Sequence, residues 1–78
     1  MLTLEPVPIT VRGYSGKSYA DRPVSFIWDG KENRVVEILK TWLEPGKKFF
    51  LLTAEDGKRY ELCYNEGEDQ WLMTRIQQ

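Results

Sequence analysis

The chain has 78 residues, a formal net charge of −1, no histidine and one cysteine. That length makes one domain, and a single cysteine excludes an internal disulfide, which fits a reducing compartment. Near-neutral charge argues against a strong electrostatic footprint for nucleic acid or membrane, and the absence of histidine removes most catalytic and metal constellations. The opening MLTLEPVPIT carries Glu5 and two prolines where a secretory signal would need an apolar core. No stretch approaches the roughly 20 apolar residues of a membrane span. These features predict a cytoplasmic chain with no membrane association and no cofactor, expected to be monomeric.

Residues 1–6 read as a loose N-terminal arm, because Pro6 and Pro8 limit ladder pairing. Val7 to Val11 can form a first strand, with Ile9 and Val11 on one face. Gly13 to Arg22 is a polar loop, the longest stretch without an apolar pattern. Pro23 to Trp28 alternates, which puts Val24, Phe26 and Trp28 on one face and Ser25 on the other.

Arg34 to Leu43 (RVVEILKTWL) supports two readings. Its apolar positions at 35, 36, 38, 39, 42 and 43 match an amphipathic helix. Its Val, Ile, Thr and Trp content favours a strand, and Val36 occupies the place where a capping box needs Glu or Gln. We favour a bent or bulged strand; a helix here would make the fold α+β.

Lys48 to Ala54 is apolar on both faces, as expected of a central or closed-barrel strand. Arg59 to Tyr64 groups Tyr60, Leu62 and Tyr64 against Arg59, Glu61 and Cys63. Gln70 to Ile76 sets Trp71 and Met73 opposite Leu72 and Ile76. Between these runs stand Asp29-Gly30, Pro45-Gly46, Asp56-Gly57 and Asn65-Glu66-Gly67, all turn signals. The pattern predicts an all-β fold: a bent antiparallel meander or small SH3-like barrel of five to six strands, with Phe26, Trp28, Leu39, Leu51, Tyr60, Leu62 and Leu72 in the core.

Chemistry is sparse. The run Gly13-Tyr14-Ser15-Gly16-Lys17-Ser18 lacks the phosphate-loop glycine, whose place is taken by Val11, and no helix follows to cradle phosphates. Cys63 has no histidine to activate it and reads as a small buried hydrophobe. Glu66, Glu68 and Asp69 do not have calcium-loop spacing. The best local candidate is the loop itself. Arg12, Lys17 and Arg22 interleave with Tyr14 and Tyr19, and cations with aromatic faces are the elements of a weak single-stranded nucleic-acid binder. The structural alternative is a solvated loop whose tyrosines pack on the barrel end.

The segments around Phe26, Trp28 and Gly30, then Val35, Leu39 and Trp42, then Gly57, Tyr60 and Leu62, then Trp71 carry a further signal. Over residues 15–76 they resemble a small bacterial domain found as the carboxyl-terminal appendage of some Y-family DNA polymerase-like proteins. The resemblance brings no catalytic residues. It implies a non-catalytic accessory or binding module associated with DNA damage tolerance, acting in trans on a protein partner such as a repair-polymerase component.

Overall fold

The computed structural model describes residues 6–13 and 22–76. Six antiparallel strands follow one another: β1 (Val7–Arg12), β2 (Ser25–Trp28), β3 (Lys31–Glu44), β4 (Lys47–Ala54), β5 (Arg59–Asn65) and β6 (Gln70–Ile76). Each pairs with its neighbour in sequence, and β1 pairs with β6 to close a barrel. The described residues include no helix. The expected arm (residues 1–5 of it) and the body of the polar loop (14–21) lie outside the described residues.

The turns account for the meander. Asp29 and Gly30 both have positive φ, 56° and 74°. That is the backbone of a type I′ turn, whose twist suits a two-residue hairpin between β2 and β3. Pro45-Gly46 joins β3 to β4, with Gly46 at φ 75°. At the β4–β5 turn the Asp56 carboxylate accepts the Lys58 amide at 2.9 Å.

Closure is staggered. β1 gives Val7–Ile9 to β6 and Thr10–Arg12 to β2. Pro8 therefore sits where β1 has β6 as its only paired neighbour, a position that tolerates a missing amide donor. β3 is divided in the same way: Lys31–Arg34 pair with β2, and Val35–Glu44 pair with β4.

Residues 34–43 form a strand with two register shifts, one between Val35 and Glu37 and one between Ile38 and Lys40. Val36 and Leu39 are the extra residues. Each bulge resets the two-residue alternation, so Val35 and Ile38 both pack on the core while Val36 and Leu39 are exposed. Two bulges three residues apart thus imitate helical spacing.

The core holds Phe26, Phe50, Leu52, Ala54, Tyr60, Leu62 and Met73, with Trp28, Trp71, Val7, Ile9, Val11, Val35 and Ile38 packed around it. The Phe26 and Tyr60 rings meet edge to face, 5.1 Å between centroids. Of the expected core, Phe26, Tyr60 and Leu62 are buried. Leu39 is 40% exposed at its bulge, and Trp28, Leu51 and Leu72 are only half-buried. Leu51 and Leu72 err for one reason: a barrel has one interior face, so the alternate residues of an apolar strand point outward. Val24 does not continue the Phe26 face either; it precedes β2 and is exposed.

Candidate functional site

Arg12 ends β1, and Arg22 stands just before β2, next to buried Pro23; both side chains are exposed. The Arg12 guanidinium lies 3.9 Å from Glu32 on β3. The same carboxylate accepts a hydrogen bond from the Ser25 hydroxyl at 2.6 Å. Glu32 therefore opposes one of the cations that the sequence assigned to the loop. Tyr14, Lys17 and Tyr19 lie outside the described residues.

The loop's first hinge is well defined. Gly13 has φ 86°, and a Cβ placed there would fall 2.3 Å from Val24 Cγ2. The chain leaving β1 passes so close to Val24, just before β2, that a side chain at this point would collide with it.

A different surface emerges from the register of the strands. Trp42 pairs with Phe49, Phe49 with Cys63, Cys63 with Leu72 and Leu72 with Pro8. Directly opposed residues share one face of a sheet, so these five side chains form an apolar row across β3, β4, β5, β6 and β1 on the outside of the barrel. Leu51 adjoins it from the next row, between Lys40 and Glu61. Trp42, Phe49, Leu51, Cys63 and Leu72 are all half-buried, shielding one another without any covering element among the described residues.

At one end the row is built on stacked rings. The Trp42 and Phe49 rings are stacked with centroids 5.1 Å apart and planes 1° apart. Lys40 Nζ lies 5.6 Å from the Trp42 ring centroid, a cation–π contact. Charges of both signs border the row: Glu44 faces Lys47, and Glu61 lies between Leu51 and Thr74. Burial pushes the Cys63 thiol above its ordinary value, against the pull of Lys47, with Glu61 and Glu44 adding to the rise. Cys63 is thus a protonated, apolar member of the row.

Away from the row, Tyr60 and Asp56 form a hydrogen-bonded pair at the β4–β5 turn. Tyr60 donates its hydroxyl proton to Asp56 Oδ2 at 2.6 Å. Burial, then the Asp56 carboxylate, push Tyr60 up to about 12. Burial acts to raise the Asp56 carboxyl, but the Tyr60 hydroxyl, the Lys58 amide and the Lys58 charge outweigh it and hold it below its ordinary value. No group of three or more His, Cys, Asp or Glu side chains among the described residues could hold a metal. No described helix is long and apolar enough to cross a membrane.

Sequence reasoning missed the outer row. Its signal was present in KFFLLTA: a barrel buries Phe50, Leu52 and Ala54, so Phe49 and Leu51 were left to be explained. No protein-family model, curated protein or solved structure matches the chain.

Proposed function

We propose that this barrel is a non-catalytic protein-interaction module that docks a partner through the outer row Trp42, Phe49, Cys63 and Leu72, with Leu51 beside it. The observation that carries the reading is that row: five apolar side chains on the outside of a barrel whose own core is filled without them. Aromatic anchors with a bordering ring of mixed charge are the ordinary anatomy of a protein interface. The complementary surface is aliphatic or aromatic, flanked by charges of both signs. The resemblance to polymerase appendages makes a cytoplasmic Y-family polymerase-like protein the first partner to test. The absence of histidine and the protonated Cys63 thiol support a non-catalytic role.

The nucleic-acid reading has less support. Glu32 already faces Arg12, and the Trp42 ring that could stack a base is occupied by Phe49.

The test is calorimetric titration of the chain into a Y-family polymerase-like protein, with a short single-stranded oligonucleotide as a parallel arm. Saturable binding to the protein, lost in Phe49→Ser and kept in Arg12→Ala, is expected. Binding to the oligonucleotide alone, lost in Arg12→Ala, would replace this reading with the loop-centred one.

A further inference from the structure

The last five residues of β3 form a regular strand that is paired on one side only. Lys40 to Glu44 pair with β4 in unbroken register, from Lys40 opposite Leu51 to Glu44 opposite Lys47. On their other side β2 reaches only Lys31–Arg34, and Val35 receives its last contact there by donating its amide to Val24 O at 2.8 Å. Among the described residues nothing pairs with the far edge of Lys40–Glu44. Exposure agrees: Lys40, Thr41, Leu43 and Glu44 are all exposed, and Leu43 reaches 67%. A bare, regular strand edge is a template for another strand.

The geometry points to a second copy of this chain as the occupant, with two β3 edges paired antiparallel about a two-fold axis at Trp42. The charge pattern selects this register. With Trp42 opposite Trp42 of the second copy, Lys40 faces Glu44 of that copy and Glu44 faces its Lys40. Thr41 then faces Leu43. Centring the axis on Lys40 sets two lysines against each other and draws in the bulge at Leu39. Centring it on Glu44 opposes two glutamates. A register that matches Glu37 with Lys40 falls across the bulge at Leu39 and cannot form a continuous ladder. Trp42 is therefore the centre that keeps five residues regular and pairs every charge.

The two-fold makes the contact self-limiting. The contact is isologous and uses the same edge on both copies, so pairing through it closes at a dimer and does not run on into a filament. Directly opposed residues share a face, so Lys40, Trp42 and Glu44 of both copies lie on the outer surface. The two apolar rows would become one continuous band, doubling the surface offered to a partner. Five paired residues make a small interface, so the dimer is weak and reversible.

Sedimentation equilibrium over a wide concentration range tests this, with circular dichroism to verify that each variant keeps its β spectrum. Wild-type chain should show a reversible monomer–dimer equilibrium. Lys40→Glu and Glu44→Lys should each weaken it by at least about tenfold, since both ion pairs become like-charge pairs. Joining them in Lys40→Glu/Glu44→Lys should restore association, because the swapped charges again face each other. A chain that stays monomeric at its solubility limit would overturn the proposal. So would a dimer indifferent to the single changes, or one that the double change fails to restore.

Discussion

Trp42 and Phe49 stand directly opposite each other on β3 and β4, and their rings stack within 1° of parallel on the outside of the barrel. Two large aromatics are thereby placed where the core does not need them. Phe49 and Phe50 are neighbours in sequence with opposite roles, since Phe50 is buried among Leu62 and Met73 while Phe49 faces outward.

That contrast predicts different costs for the same truncation. Phe50→Ala should lose about 3–5 kcal/mol, as deletion of a core phenylalanine does. Phe49→Ala should lose about 0.5–1.5 kcal/mol, the scale of a surface aromatic pair. Urea denaturation at neutral pH measures both. Equal costs would mean that Phe49 is a core residue and the outer row is not free to bind.

Leu62 and Leu39 make the same test for the barrel as a whole. Leu62 is fully buried, and Leu62→Ala should cost about 2–5 kcal/mol. A domain of this size has only about 5 kcal/mol or somewhat more in total, so that variant should be close to unfolded at room temperature. Leu39→Ala should cost much less, about 1 kcal/mol or under, because the residue is 40% exposed at its bulge. A large loss at Leu39 would contradict the double-bulge strand.

These pairs also show how far the fold was legible. Asp29-Gly30, Pro45-Gly46 and Asp56-Gly57 announce their turns through residues that accept positive φ, so the meander could be read directly. Tyr60 and Leu62 could be placed because β5 alternates without interruption. Leu39 could not, because a bulge shifts the alternation without leaving a local compositional mark. Leu51 and Leu72 were misplaced because hydrophobicity alone does not separate an interior face from an apolar exterior one. Arg12 was legible as a cation, but its proximity to Glu32 depends on the pairing of β1 with β2 and of β2 with β3. The row from Trp42 to Leu72 depends on registers across four strands, which no single segment encodes.

Gly13 and Gly57 share a left-handed backbone, at φ 86° and 82°, but not their surroundings. A Cβ at Gly57 meets nothing within 4 Å, whereas one at Gly13 collides with Val24. Gly57→Ala should cost about 1 kcal/mol from backbone strain alone. Gly13→Ala should cost clearly more, because the backbone of β1 or β2 must move. Thermal melts of the two variants side by side decide it, and equal melting temperatures would contradict the close approach at Gly13.

The Tyr60–Asp56 contact predicts an alkaline transition. Tyr60 titrates at about 12 in the fold and near the ordinary 10.0 when unfolded. A raised folded value means that its contribution is complete below pH 10 and declines as pH rises from 10 toward 12. The unfolded chain releases the proton first, so unfolding gains over that window, by on the order of 2 kcal/mol. Tyr60→Phe should lose about 1–2 kcal/mol at neutral pH from the missing hydrogen bond. It should also show a shallower decline between pH 10 and 12 than wild type. Parallel slopes in urea titrations across that range would contradict the buried hydroxyl.

The central claim is that the outer row binds protein, and amide chemical-shift mapping tests it most directly. Isotope-labelled chain would be titrated with an unlabelled Y-family polymerase-like protein, the partner proposed above. The account predicts shifts or broadening centred on Trp42, Phe49, Leu51, Cys63 and Leu72, with Phe26, Leu52 and Tyr60 unaffected. Perturbations confined to Arg12, Arg22 and the strand ends beside them, with the outer row silent, would contradict it.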